Sequence, residues 1–305
     1  MIHLVLAILS STAIVVVFKL TKGRFDRLSL VTVNYAAAVG AAALLLRLDP
    51  PDRGLAADPG LLLLGTALGL LFVAGFVLLG RAIDEAGISL AAAVMRLSVA
   101  IPFVASWLVW GEVPSPAQGA GLVLAAVAFV LISRPAPVSA LPVEPVSALP
   151  VEEMGMAPRP RRPLVAFLLL SLLFVTGGMV DTSLKLFEET FAETNSRAHF
   201  LLVVFAVALV TGALLVLARG IRTRRWPSRG VLGWGAVLGL VNYGSAEFML
   251  RALRDIPGTV AFPVNNVAVV TLATLLGMGV WRERTGTGHR AGLLLALVAL
   301  VLFGF

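Results

Sequence analysis

Apolar residues fall along this chain in long unbroken blocks, and polar residues fall between them. Ten blocks stand out: Ile2–Phe18, Leu28–Leu46, Gly60–Gly80, Gly87–Trp110, Ala117–Ser133, Pro163–Phe187, Ala198–Ala218, Gly230–Leu250, Gly258–Trp281 and Arg290–Phe305. Each approaches the roughly 20 residues a helix needs to cross the hydrocarbon core. The blocks are rich in Leu and Ala and do not alternate, whereas a membrane barrel strand alternates over about 10 residues. A helix satisfies its own backbone hydrogen bonds, which hydrocarbon surroundings demand. The pattern predicts an all-α integral membrane protein with ten transmembrane helices. The first block has no basic region before it and nine more follow, so it reads as a retained helix and not as a signal peptide.

Composition says the same. Of 305 residues 59% are apolar and 13% charged, and the mean hydropathy is +0.96. Soluble domains run about 45–50% apolar and about 25% charged. A soluble 300-residue globule still exposes about a quarter of its unfolded surface and could not hide this much apolar side chain. Lipid is therefore the solvent for most of the chain, which excludes a cytosolic enzyme and a nucleic-acid-binding domain. The net charge of +7 sits between blocks, not along one face. There is no cysteine, so neither a disulfide scaffold nor thiolate chemistry is available.

Between the fifth and sixth blocks lies a polar stretch, Arg134 to Arg162, with a tandem duplication: Pro137-Val-Ser-Ala-Leu-Pro-Val-Glu144, then Pro145-Val-Ser-Ala-Leu-Pro-Val-Glu152. Proline at this density blocks helix and sheet ladders and predicts an extended, disordered linker over 135–162. It serves as a spacer or a docking peptide. On either side the chain repeats itself. Gly65-x-x-x-Gly69 answers Gly235-x-x-x-Gly239, and Arg81-Ala82 answers Arg251-Ala252, all 170 residues apart. Ala120-Gly121-Leu122-x-Leu124-Ala125-x-Val127-Ala128 answers Ala291-Gly292-Leu293-x-Leu295-Ala296-x-Val298-Ala299 at 171. Gly40 and Arg47 answer Gly212 and Arg219, Lys19 answers Lys185, and Glu112 answers Glu283. Residues 1–134 and 163–305 are thus expected to be two five-helix repeats. Five is odd, so the second copy enters the membrane from the opposite side. That makes an inverted repeat, the plan of many secondary transporters with a binding site near mid-depth.

With these residues in view the sequence resembles the drug/metabolite transporter superfamily, EamA-type, over nearly its whole length. The resemblance rests on the five-plus-five plan and on Pro102-x9-Glu112 followed by Gln118-x-x-Gly121. It rests also on Phe262-Pro263-x-Asn265-Asn266, then Glu283 and Gly292. It implies a carrier of small metabolites with a central cavity between the halves and no tightly bound cofactor. It does not fix the substrate.

Few of the 24 basic and 17 acidic side chains fall inside the blocks. Arg96 is the deepest. A charge at a helix centre costs at least ~2.5–3.5 kcal/mol on insertion, and such residues face the bundle interior or a water-filled cavity. The repeat aligns Arg96 with Asn266. Arg96, Asn265 and Asn266 are therefore candidates to line the cavity. Arg96 either grips a substrate carboxylate or phosphate or forms a structural ion pair with Glu247. Glu247, after Asn242 and Tyr243, is the proton-coupling candidate, or else a partner for Arg96 or for Arg251 at i+4. Asn34 and Tyr35 in the second block and Asn242 and Tyr243 in the eighth are further cavity candidates, with inter-helix hydrogen bonds as the alternative. Asp181 and Lys185, spaced i,i+4 near the polar end of the sixth block, can pair with each other. Pro102 and Pro263 remove backbone hydrogen bonds and predict kinks with free carbonyls. Glu112 and Glu283 lie just outside their blocks and read as contacts to helix ends or arginines. The glycines of blocks three and eight allow close helix approach or a sliding seam between the halves.

No His-Glu-x-x-His, Gly-x-Ser-x-Gly or nucleotide-binding loop occurs, and His3, His199 and His289 are scattered. The chain therefore reads as no enzyme, with no metal site and no ATP as direct energy source. The expected function is secondary active transport of a small polar metabolite, amino acid-like or otherwise anionic or zwitterionic, or of a drug, by alternating access. A lipid-carrier flippase on the same scaffold and a non-transporting sensor are the alternatives. Expected partners are the small-molecule substrate and the lipid bilayer of the cell (inner or plasma) membrane, without nucleic acid; a homodimer is left open. Six basic residues flank the blocks on the side bearing both termini and seventeen on the other. The positive-inside rule then puts the termini outside, while the resembled family is usually drawn with both inside.

Overall fold

The computed structural model describes residues 1–48, 58–133, 162–224, 228–282 and 286–304. The duplicated Pro-rich segment and Glu283 lie outside them. The described residues form helices only: α1 (Ile2–Thr21), α2 (Arg27–Leu48), α3 (Pro59–Ala86), α4 (Ile88–Leu97), α5 (Ala100–Trp110), α6 (Pro116–Ser133), α7 (Pro163–Thr190), α8 (Arg197–Thr223), α9 (Gly230–Leu253), α10 (Gly258–Gly279) and α11 (Thr287–Phe303). Since α4 and α5 make one rod, each predicted block has its helix. Pro59, Pro116 and Pro163 open theirs, where the missing N–H has no partner to lose.

Eight of these rods are long and apolar enough to cross a membrane, and α11 is a shorter apolar helix. The remaining rod, α9, has 24 residues but carries Asn242, Glu247 and Arg251. Its Tyr243 and Glu247 are buried, so these polar groups turn inward. Large apolar side chains such as Leu63, Leu108 and Phe167 point outward, as a lipid-facing surface requires.

Glycines set the distances between rods. A Cβ on Gly65 would meet Val203, and one on Gly69 would strike the backbone oxygen of Val204 and the side chain of Val207. A Cβ on Gly235 would meet Val33, and one on Gly239 would strike the oxygen of Asn34 and Ala37. Gly121 faces the oxygen of Ala299, and Gly292 that of Ala128. The pairing of rods has the same reciprocity: α2 packs on α9 and α3 on α8; α1 on α9 and α3 on α7; α1 on α10 and α4–α5 on α7. The pairs α2–α8, α5–α10 and α6–α11 are their own counterparts. Small residues thus bring backbones together across the two halves of the chain, where van der Waals packing replaces a hydrophobic driving force.

Charged contacts gather at the two ends of the rods. At one end Asp26 pairs with Arg219, and Lys19 lies 4.1 Å over the Trp281 ring. At the other, Glu112 pairs with Lys185 and Arg197 with Glu188. The direction of the chain along successive rods puts the start of α1 and the end of α11 at the Glu112 end.

The two prolines behave differently. Pro102 leaves the Ser98 carbonyl without its i+4 donor, and the helix breaks at Ser98–Val99. Ser98 O accepts instead from the Ile101 N–H at 3.0 Å, and Ser98 Oγ donates to Met95 O at 2.6 Å. The break lies against Gly177 and Gly178 of α7, where an added Cβ would strike Ser98 and Ile101. Pro263, expected to kink its helix as well, does not interrupt α10. Its lost bond is to Thr259 in the first turn, and helices tolerate such a loss near their start.

Candidate functional site

Arg96 occupies the last turn of α4, about 12 Å of helix from the start of that rod. Its Nη1 donates to Asn266 Oδ1 of α10 at 3.3 Å. Asn266 Nδ2 donates to Phe262 O, one turn back, at 3.2 Å. Asp181, on α7, is close enough to interact electrostatically with Arg96. A guanidinium and a side-chain amide thus meet between α4 and α10, with the Asp181 charge on α7 near them. Asn266 takes one of the five guanidinium donors, and others remain for a further partner. Asn265 is next in α10, and its Oδ1 is buried with no hydrogen-bond partner among the described residues.

Asp181 was not among the sequence candidates for the cavity. The block ends at Phe187, which put Asp181 near a polar edge and paired it with Lys185. The helix in fact runs on to Thr190, so Asp181 lies deeper, about 13 Å from the nearer end. Lys185 takes other partners. It is 1% exposed, with Nζ 2.6 Å from Glu112 Oε1 and 2.5 Å from Glu189 Oε1. Glu112 Oε2 also accepts from the Thr259 N–H at 3.2 Å, at the start of α10. A carboxylate there answers the partial positive charge of a helix N-terminus. Glu112 thus meets a helix end as expected, and its cationic partner is a lysine and not an arginine.

Glu247 does not pair with Arg96. Its Oε1 accepts from Arg251 Nε at 2.7 Å and its Oε2 from Tyr243 OH at 3.2 Å. It borders a polar cavity of about 290 Å³ lined also by Leu45, Leu48, Arg197, Ala198, Arg251 and Arg254, at the Glu112 end of the bundle. The i+4 arginine outcompetes Arg96 because it sits on the same face one turn away.

Asn34 and Tyr35 are buried in α2. Asn34 Nδ2 donates to Val31 O at 3.3 Å, and its Oδ1 has no partner among the described residues. The Tyr35 ring centroid is 6.4 Å from that of Phe205, which is 6.2 Å from Tyr243 and 5.8 Å from Phe72. Tyr35 and Tyr243 thus share one aromatic cluster. Asn242 is half-buried on α9. Among the described residues, no hydrogen bond joins Asn34, Tyr35 or Asn242 to Arg96.

Asp26 stands outside the rods, before α2. It accepts from Ser29 N at 3.0 Å and Ser29 Oγ at 2.7 Å, the geometry of an N-cap, and pairs with Arg219. Burial pushes its carboxyl up, but the hydrogen bonds from Ser29 and Arg219 and the arginine's charge outweigh it and hold the group below its ordinary 3.8. No group of three or more His, Cys, Asp or Glu able to hold a metal occurs among the described residues.

Known proteins match this architecture. A protein of Haemophilus influenzae described as an uncharacterized protein is 26% identical over 308 residues, spanning 98% of this chain and 96% of its own length. A solved crystal structure of a protein superposes with a TM-score of 0.69 at 17% identity, covering 99% of this chain and 95% of its own, a likeness of fold. The sequence model of the EamA-like transporter family matches residues 1–134. The motif resemblance therefore holds over the first half: this is a multi-pass membrane protein whose residues 1–134 match the EamA-like transporter family, part of the drug/metabolite transporter superfamily.

Proposed function

We propose that the protein is a secondary active transporter. It carries a small polar solute with an anionic group across the cell membrane by alternating access between two inverted five-helix repeats, 1–134 and 163–305. The observation that carries this reading is the hydrogen bond between Arg96 and Asn266, 170 residues apart. That spacing is the one at which the repeat matches. A residue and its counterpart touch only beside the two-fold axis relating the copies, so the polar cluster sits where a solute must pass between the halves. The reciprocal rod pairing supports the same axis, and an odd number of crossings per copy makes it an axis in the membrane plane. Arg96 supplies planar paired donors suited to a carboxylate or phosphate.

Flux into proteoliposomes across a panel of labelled anionic, zwitterionic and neutral solutes tests the proposal. An anionic or zwitterionic solute is expected to move, and Arg96→Gln to weaken its apparent affinity about 10–100-fold, since a charged hydrogen bond contributes ~1.5–3 kcal/mol. Wild-type uptake by Arg96→Gln, or no flux of any charged solute, contradicts it.

A further inference from the structure

We infer that the corner where the end of α2 meets the start of α8 and the end of α9 is a binding site for an anionic phospholipid, with its phosphate on Arg197, Arg251 and Arg254 and its acyl chains along Leu45 and Leu48. The site is separate from the Arg96–Asn266 pair and does not depend on transport. The polar cavity of about 290 Å³ at this corner is lined by those five residues together with Ala198 and Glu247. Three guanidinium groups from two rods therefore border one space. Two of them are partly engaged. Arg197 donates from Nε and Nη2 to Glu188, and Arg251 donates from Nε to Glu247. Arg197 Nη1 and both Nη atoms of Arg251 keep donors for a ligand. Arg254 forms no ion pair among the described residues. Two carboxylates against three guanidiniums leave one positive charge, and a phosphodiester carries one negative charge. Ala198 lies in the first turn of α8, whose N-cap makes no side-chain hydrogen bond, so the helix start adds to the field on an anion. Leu48 is the last residue of α2 and Leu45 lies one turn before it; both are exposed. Arginines at rod ends with leucines beside them suit a lipid at the headgroup boundary, where basic pockets between membrane helices hold anionic headgroups.

The duplication separates the charges of the shared plan from those of this corner. The glycine contacts of the two halves match at 170 residues: Gly65 faces Phe200 and Val203, and Gly235 faces Leu30 and Val33. At that spacing Arg27 answers Arg197 and Arg81 answers Arg251, whereas Val77 answers Glu247 and Asp84 answers Arg254. The shared plan thus accounts for two arginines and not for the third. Where the equivalent corner at the linker end has an acid, this one has Arg254, the cation that a phosphate would neutralise.

The test is binding by the full-length protein in a neutral detergent, read as the rise in melting temperature with probe concentration. The probes are phosphatidylglycerol, phosphatidylcholine with the same acyl chains, and inorganic phosphate. Phosphatidylglycerol is expected to stabilise saturably, and the other two to do little at the same concentrations. Arg254→Gln is expected to weaken phosphatidylglycerol about 10-fold, the effect of losing one charged hydrogen bond. Its side chain is exposed, so the variant is expected to melt as wild type without lipid. Arg47→Gln removes the same charge from the same end of the bundle, on an exposed side chain that does not line the cavity, and is expected to bind as wild type. Equal losses in the two variants would make the effect one of surface charge. Equal stabilisation by phosphatidylcholine would make it one of acyl chains, and by inorganic phosphate one of a free anion. Each of these overturns the proposal, as does the absence of saturable binding. No flux is read, so either result leaves the transporter function standing or falling on its own test.

Discussion

Single charges organise this molecule where lipid makes them costly. Lys185, at 1% exposure, is neutralised by Glu112 and Glu189, and Glu112 at the same time holds the first turn of α10. Lys185→Met removes a charged partner from Glu112, which is itself largely buried. Its expected cost is about 2–3 kcal/mol, seen as a lower melting temperature in detergent. Glu112→Gln keeps an acceptor for Thr259 and is expected to cost less. At the opposite end Asp26 has a lowered carboxyl value, so its contribution is present above the ordinary 3.8 and is lost as pH falls through the lower folded value. The gap in melting temperature between wild type and Asp26→Asn is therefore expected to be constant near neutral pH and to close in acid. A gap that widens in acid contradicts this. Arg96 was legible in the sequence because a charge deep in an apolar block has few places to go. Asp181 was not, because hydropathy ends a span where polarity rises while the helix itself runs on to Thr190. Glu247 could be given three partners on paper, and only packing decides that Arg251 is the one.

At the scale of helices, glycine and proline do the positioning. A Cβ on Gly69 or Gly239 meets backbone oxygen of the facing rod, and backbone cannot swing aside as a side chain can. Gly69→Ala and Gly239→Ala are each expected to destabilise by about 1–3 kcal/mol. Gly40→Ala, where nothing lies within 4 Å, is expected to be neutral or to stabilise by up to about 1 kcal/mol. Thermal melts of the three variants side by side check the contrast. Pro102→Ala restores a donor for Ser98 O and is expected to join α4 to α5. Because that turns Arg96 relative to Asn266, solute turnover should fall several-fold while the melting temperature holds or rises. Turnover unchanged would make the break a matter of packing. The rods themselves were readable from blocks of apolar residues, and the glycine partners from their matched spacing. What was not readable is which proline breaks its helix, since the outcome depends on where the lost hydrogen bond falls: mid-rod at Ser98, but in the first turn at Thr259.

The whole molecule carries an asymmetry of charge between its two ends. Its linker end is basic, with Arg219, Arg222, Arg224, Arg229, Arg282 and Arg290 among others, and the end bearing the termini is not. The positive-inside rule predicts that a reporter fused after Phe305 is found outside the cell. A cytoplasmic reporter would show that the charge bias does not orient this chain. The central claim, that the Arg96–Asn266 cluster lies on a two-fold axis and is exposed to each side in turn, has a clean test because the chain contains no cysteine. Asn266→Cys carries a unique thiol at the axis. In oriented vesicles a membrane-impermeant thiol reagent is expected to reach it slowly from either side, and a transported solute to protect it from both. Labelling from neither side, or from one side alone whatever the solute, contradicts the account.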